Sequence, residues 1–85
     1  MKLTLKYFAS LRETLGTGDS IDWTPEAEPT AAALREWLRT QSDAHAQALA
    51  PGRAVRVAVD QALVDETATL RDGAEVAFFP PVTGG

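Results

Sequence analysis

Cysteine is absent from this sequence of 85 residues. That removes disulfides, cysteine-based metal sites, and any thiol that could act as a nucleophile or store sulfur. Histidine occurs once, at His45. No second ligand or acid–base partner lies near it, so it reads as a surface residue. Clustered cations are missing as well. Eight Lys and Arg stand against twelve Asp and Glu, for a net charge of −4, and nucleic acid is not an expected partner because phosphate contacts need grouped Lys and Arg. A basic protein partner is compatible with this balance. No apolar run is long enough to cross a bilayer, and Met1–Lys6 is too short in apolar content for a secretion signal. A cytoplasmic protein without membrane contact is expected. The acidic residues follow no metal-ligand spacing, and Ser10, Ser20 and Ser42 fall at turn or cap positions. Gly16-Thr17-Gly18 has no downstream Gly-Lys-Ser/Thr and is no phosphate loop. The expectation is a chain with no metal, no permanently bound cofactor and no catalysis of its own.

What is present is a periodic pattern. Lys2 to Tyr7 alternates strictly, with Leu3, Leu5 and Tyr7 on one face and Lys2, Thr4 and Lys6 on the other, as in a half-buried strand. Ala9 to Leu15 follows as a short helix, with Ser10 and Glu13 in capping-box spacing and Gly16 at the C-terminal cap. Ser20 to Thr24 alternates again, turning Ile21 and Trp23 inward. Thr30 caps a main helix from Ala31 to about Gln41. Its stripe is Leu34, Trp37, Leu38 and Gln41, with Arg35, Glu36 and Arg39 assigned to solvent. Ser42 or Asp43 opens a further helical turn through Leu49. Pro51-Gly52 breaks the chain. Val55, Val57 and Val59 then face inward, opposite Arg56 and Ala58. Asp60-Gln61 reverses into the short strand Ala62-Leu63-Val64. After the Asp72-Gly73 turn, Ala74 to Phe79 forms a last strand with Val76 and Phe78 inward.

Strands at both ends around one central helix predict an α+β layer, a mixed sheet wrapped over a helix with additional short helices. That is the ubiquitin-like β-grasp arrangement, in which the first and last strands lie parallel at the sheet centre. The division is a β-grasp domain over 1–79 and an extended tail over 80–85.

Two features point to function. Phe8 and Phe79 each fall out of phase with the buried residues of their strand, at its carboxyl end. In parallel neighbours both rings would emerge on one face, beside the start of the tail. Two readings are open for the rings: anchors for a partner protein, each worth about 1.5–3 kcal/mol when fully buried, or rings covered by the short helices or the Pro51 loop. The second feature is the tail itself, Pro80-Pro81-Val82-Thr83-Gly84-Gly85. It carries no side-chain charge, is stiffened by two prolines and thinned by two glycines. From Pro81 to Gly85 it would reach about 15 Å when extended, which suits threading a carboxylate into a narrow slot.

The one group with reactive potential is the α-carboxylate of Gly85. A carboxylate is a poor acyl donor. Adenylation would convert it to a mixed anhydride, and a sulfur nucleophile could displace AMP to leave a thiocarboxylate.

The run Leu70-Arg71-Asp72-Gly73-Ala74-Glu75-Val76-Ala77-Phe78-Phe79-Pro80-Pro81-Val82-Thr83-Gly84-Gly85 resembles the carboxyl end of the small subunits of bacterial molybdopterin synthases. Tyr7-Phe8-Ala9-Ser10-Leu11-Arg12-Glu13 with Gly16, and Val59-Asp60-Gln61-Ala62-Leu63-Val64, resemble that family's first strand–helix junction and hairpin. The Asp19 to Pro29 region matches more loosely. The resemblance implies a ubiquitin-like β-grasp whose terminal glycine, matched by Gly85, is adenylated with ATP by a ubiquitin-activating-type adenylyltransferase. A sulfurtransferase relay then makes the thiocarboxylate. It also implies a large subunit that receives the tail, in a heterotetramer of two small and two large subunits, and that uses the sulfur on cyclic pyranopterin monophosphate. Phe8, Leu63 and Phe79 match that family's apolar contacts with the large subunit, and Gly84 the slim neighbour of the terminus. Ending at Gly85, the chain is expected to need no processing protease.

Two other readings share the Gly-Gly end. One is a sulfur carrier for the thiazole of thiamine, a group whose members are usually shorter and lack the Phe-Phe-Pro-Pro approach. The other is a ubiquitin-like modifier joined to lysines, whose tails are basic and flexible where this one is neutral and stiff.

Overall fold

A computed structural model describes residues 1–81. Val82, Thr83, Gly84 and Gly85, to which the sequence assigns the chemistry, lie outside the described residues.

Strand β1 (Lys2–Tyr7) buries every second residue, so Leu3, Leu5 and Tyr7 enter the core while Lys2, Thr4 and Lys6 stay out. Helix α1 (Ala9–Leu15) follows directly, then β2 (Ser20–Asp22), α2 (Ala31–Arg39), α3 (Asp43–Ala48), β3 (Arg56–Val59), β4 (Ala62–Val64) and β5 (Glu75–Phe79). The sheet order is β2-β1-β5-β3-β4. β5 is central, parallel to β1 and antiparallel to β3. This is the α+β β-grasp expected from the order of elements.

One side of the sheet packs against α2, where Leu3, Leu5, Leu34, Leu38, Val57, Val76 and Phe78 form a buried cluster with Trp23 and Leu49. Thr30 caps α2 as expected, its hydroxyl accepting from the Ala33 amide at 3.1 Å. Ser42 does the same for α3, accepting from the His45 amide. Asp60 and Gln61 both have left-handed φ (49° and 70°), which a two-residue hairpin turn requires. Gly18 is needed for a different reason. Its φ is 119°, and a Cβ there would lie 2.0 Å from the Leu5 carbonyl oxygen, because the segment pairs with β1 through Leu5 and Asp19.

Three expectations are corrected. Ser10 does not cap α1. The capping position is Phe8, without a side-chain bond, and Ala9 turns the chain at a left-handed φ of 53°, so the helix begins before Ser10 can serve it. Arg35 does not face water. It is buried, and its guanidinium donates to the carbonyls of Leu49, Ala50 and Arg53 and to Glu66. That single side chain ties together carbonyls at the end of α3 and in the segment leading to β3; the Ala50 carbonyl also accepts from the Arg53 amide at 2.9 Å. His45 is half-buried rather than a free surface residue. Its Nδ1 lies 2.7 Å from the Ser42 hydroxyl, and its ring stands edge-on to Tyr7 at 6.3 Å.

Candidate functional site

Among the described residues, the side of the sheet away from α2 has no helix over it, and strand register decides what appears there. Directly paired residues share a face. Leu63 pairs with Ala58, Ala58 with Ala77, and Ala77 with Lys6, giving one row across four strands. One step toward the end of β5, Arg56 pairs with Phe79. The Phe8 amide donates to the Phe78 carbonyl at 3.2 Å, which carries the β1–β5 ladder one residue past the strand end and sets Phe8 beside Phe79.

The result is a hollow of about 460 Å³ whose lining includes Phe8, Ala58, Ala77, Phe79 and Pro80, with Lys6 and Glu75 at its margin. Two alanines from adjacent strands leave a low floor, and two phenylalanines raise the wall beside the tail. Phe8 is 44% exposed and Leu63 63%, the large apolar side chains most open to solvent among the described residues. Phe79 is half-buried, and Pro80 and Pro81 leave β5 half-buried as well. The structure thus brings Phe8, Phe79 and Pro80 together and places Leu63 on the same face, two strands from β5. Exposed apolar side chains grouped in this way are characteristic of surfaces that another molecule covers.

The charges at the margin are mostly neutralised. Lys6 Nζ lies 3.0 Å from Glu75 Oε1, and the Asp60 carboxylate accepts the Glu75 amide at 3.0 Å, tying the hairpin turn to β5. Behind the face, Tyr7 stacks on Phe78. Burial pushes its phenol up to about 12, and its hydroxyl has no hydrogen-bond partner among the described residues. Among the described residues, no group of three or more His, Cys, Asp or Glu could hold a metal ion, and no helix is long and apolar enough to cross a membrane.

Sequence reasoning missed Ala58 and Ala77 as parts of the hollow. Alternation could place them on the outer face, but nothing in an alanine signals that it is a floor. The arrangement can bury apolar groups of a second protein at the point where the tail departs.

The ThiS family model matches residues 5–85. The molybdopterin synthase sulfur carrier subunit of Escherichia coli strain K12 is 48% identical over 79 residues, covering 93% of this chain and 94% of that subunit. The subunit of the same name from Haemophilus influenzae is 41% identical over 83 residues, covering 98% and 99%. A chain from the Helicobacter pylori complex of subunits 1 and 2 of molybdopterin-converting factor superposes with a TM-score of 0.67 over the whole of both chains, at 21% identity, a likeness of fold. With the family model matching nearly end to end and both relatives aligned over almost their full length, the chain belongs to the ThiS family and groups with its molybdopterin synthase sulfur carrier subunits.

Proposed function

We propose that this protein is the sulfur-carrying small subunit of a molybdopterin synthase, reloaded at Gly85. An adenylyltransferase activates the Gly85 carboxylate with ATP, a sulfurtransferase supplies the sulfur that displaces AMP, and the resulting thiocarboxylate enters the large subunit. There two sulfurs are delivered in turn to cyclic pyranopterin monophosphate to build the dithiolene. The observation that carries this reading is the position of the apolar hollow at the root of the tail. Phe8, Phe79 and Pro80 share one lining, so a protein that covers the hollow also receives whatever follows Pro80. The high identity to sulfur carrier subunits supports the same assignment.

Chemistry divides the labour. The folded body supplies binding energy through apolar burial, while the terminal glycines present a carboxylate without a neighbouring Cβ to obstruct an activating site. Leu63 and the Phe8–Phe79 pair are the large-subunit contacts in this reading, and Pro80 to Gly84 are the residues that precede the reactive terminus.

The test is reconstitution with the large subunit, the activating enzyme, a sulfur source and cyclic pyranopterin monophosphate. Removing Gly85, or adding one residue after it, is expected to abolish dithiolene formation while leaving the circular dichroism spectrum and thermal midpoint unchanged. Dithiolene formation at the normal rate by either variant overturns the proposal.

A further inference from the structure

Arg56 is exposed and stands directly opposite Phe79 on the outer face of the sheet. Among the described residues its guanidinium makes no ion pair. Arg56 shares a surface hollow with Leu63, Asp65 and Glu66. There Asp65 accepts from the Thr67 amide and hydroxyl, and Glu66 is bound by the buried Arg35. Arg12 is likewise exposed and unpaired among the described residues, and it lines a groove with Phe8 on the far flank. A chain of net charge −4 therefore places, among the described residues, two cations without an ion pair on either side of its apolar surface.

We infer that Arg56 is an electrostatic anchor of the binding face, and that the protein surface seated on this face presents a carboxylate to it beside an apolar group that fills the Ala58–Ala77 hollow. The inference rests on the functional reading above, which supplies the large subunit as the occupant. A guanidinium at the rim of an apolar contact steers encounter and fixes orientation more than it adds affinity, and its effect is screened by salt. Its position on β3, bracketed by Phe79 and the hairpin of Leu63, sets the orientation of the partner on this face of the sheet.

The experiment measures binding of the full chain to the large subunit from the same organism, at low salt and at high salt. The variants are Arg56→Glu, Arg56→Gln and, as a control at the opposite end of β5, Arg71→Glu. Arg56→Glu is expected to weaken binding about tenfold at low salt, mainly through slower association, with Arg56→Gln intermediate and Arg71→Glu unchanged. The differences shrink at high salt. Reversing one large-subunit carboxylate to Arg is expected to restore binding of Arg56→Glu. If the unaltered chain binds and Arg56→Glu binds within twofold of it at low salt, the inference is overturned and the functional reading stands. If the unaltered chain does not bind the large subunit at all, the functional reading falls and the inference falls with it.

Discussion

Ala58 and Ala77 stand opposite each other in the β3–β5 ladder, on the outer face of the sheet. Between Leu63 on one side and Lys6 on the other, they are the two shortest side chains in their row. Ala77 is only 6% exposed even so, because the neighbouring groups of the hollow overhang it. Filling this space is expected to damage binding more than folding. Ala58→Leu, at the half-buried member of the pair, adds apolar bulk where a partner's group would sit. Affinity for the large subunit is expected to fall by about tenfold, equivalent to about 1.4 kcal/mol, with stability changed by less than about 1 kcal/mol because the added atoms at this half-buried position can lean toward solvent. Calorimetric titration and urea denaturation check the two halves. A binding constant equal to that of the unaltered chain would remove the hollow from the interface.

Arg35→Ala tests the buried guanidinium. Loss of the side chain removes the side-chain donor from the carbonyls of Leu49 and Arg53, takes one of two donors from the Ala50 carbonyl, and leaves Glu66 without its cation. A cost of about 3 kcal/mol is expected, a large share of the stability of a domain this small. Arg35→Lys should recover little of it, since one ammonium cannot span acceptors arranged for a planar fork. Urea midpoints for the three proteins settle the matter, and an Arg35→Lys midpoint matching the unaltered chain would refute the bridging role.

Tyr7 sets an alkaline limit. Burial raises its phenol from 10.0 to about 12, so the folded chain keeps a proton that the unfolded chain gives up. The associated stability is complete below pH 10 and is lost as pH rises from 10 toward 12. Tyr7→Phe lacks this titration and also removes a buried hydroxyl with no partner among the described residues. Near neutral pH that variant should be destabilised by no more than about 0.5 kcal/mol. Between pH 10 and 11.5 its urea midpoint should decline less steeply than that of the unaltered chain. Parallel declines would show that Tyr7 is not the titrating group.

Much of the fold was legible because strand alternation depends on hydrophobic phase alone. Leu3, Leu5 and Tyr7 could be assigned inward, and Arg56 and Ala58 outward, without knowing their neighbours. The parity of Phe8 and Phe79 located the root of the tail by the same logic. Arg35 escaped because residue type was allowed to outweigh phase. Positions 31, 34, 35 and 38 form one helical stripe, and all four are buried. The partners of Arg35 are mainly backbone carbonyls, which leave no trace in residue type. Ser10 failed for a different reason, since its capping-box spacing with Glu13 was present but the backbone turn at Ala9 starts the helix ahead of it. The hollow itself depends on a register between strands distant in sequence, and two alanines carry no mark of it.

The placement of β5 has a consequence for how the molecule is made. The strand synthesised latest among those described is the one that joins β1 to β3. A chain interrupted before Glu75 would leave two inner strands with unsatisfied edges and no wall for Phe8 to lean against. Premature products should therefore be open to proteolysis and to edge-to-edge association, and none should form a docking surface. Assembly of the globule thus acts as a check on translation: a partner that recognises the finished face meets only chains in which the segment leading to the terminus has already been made.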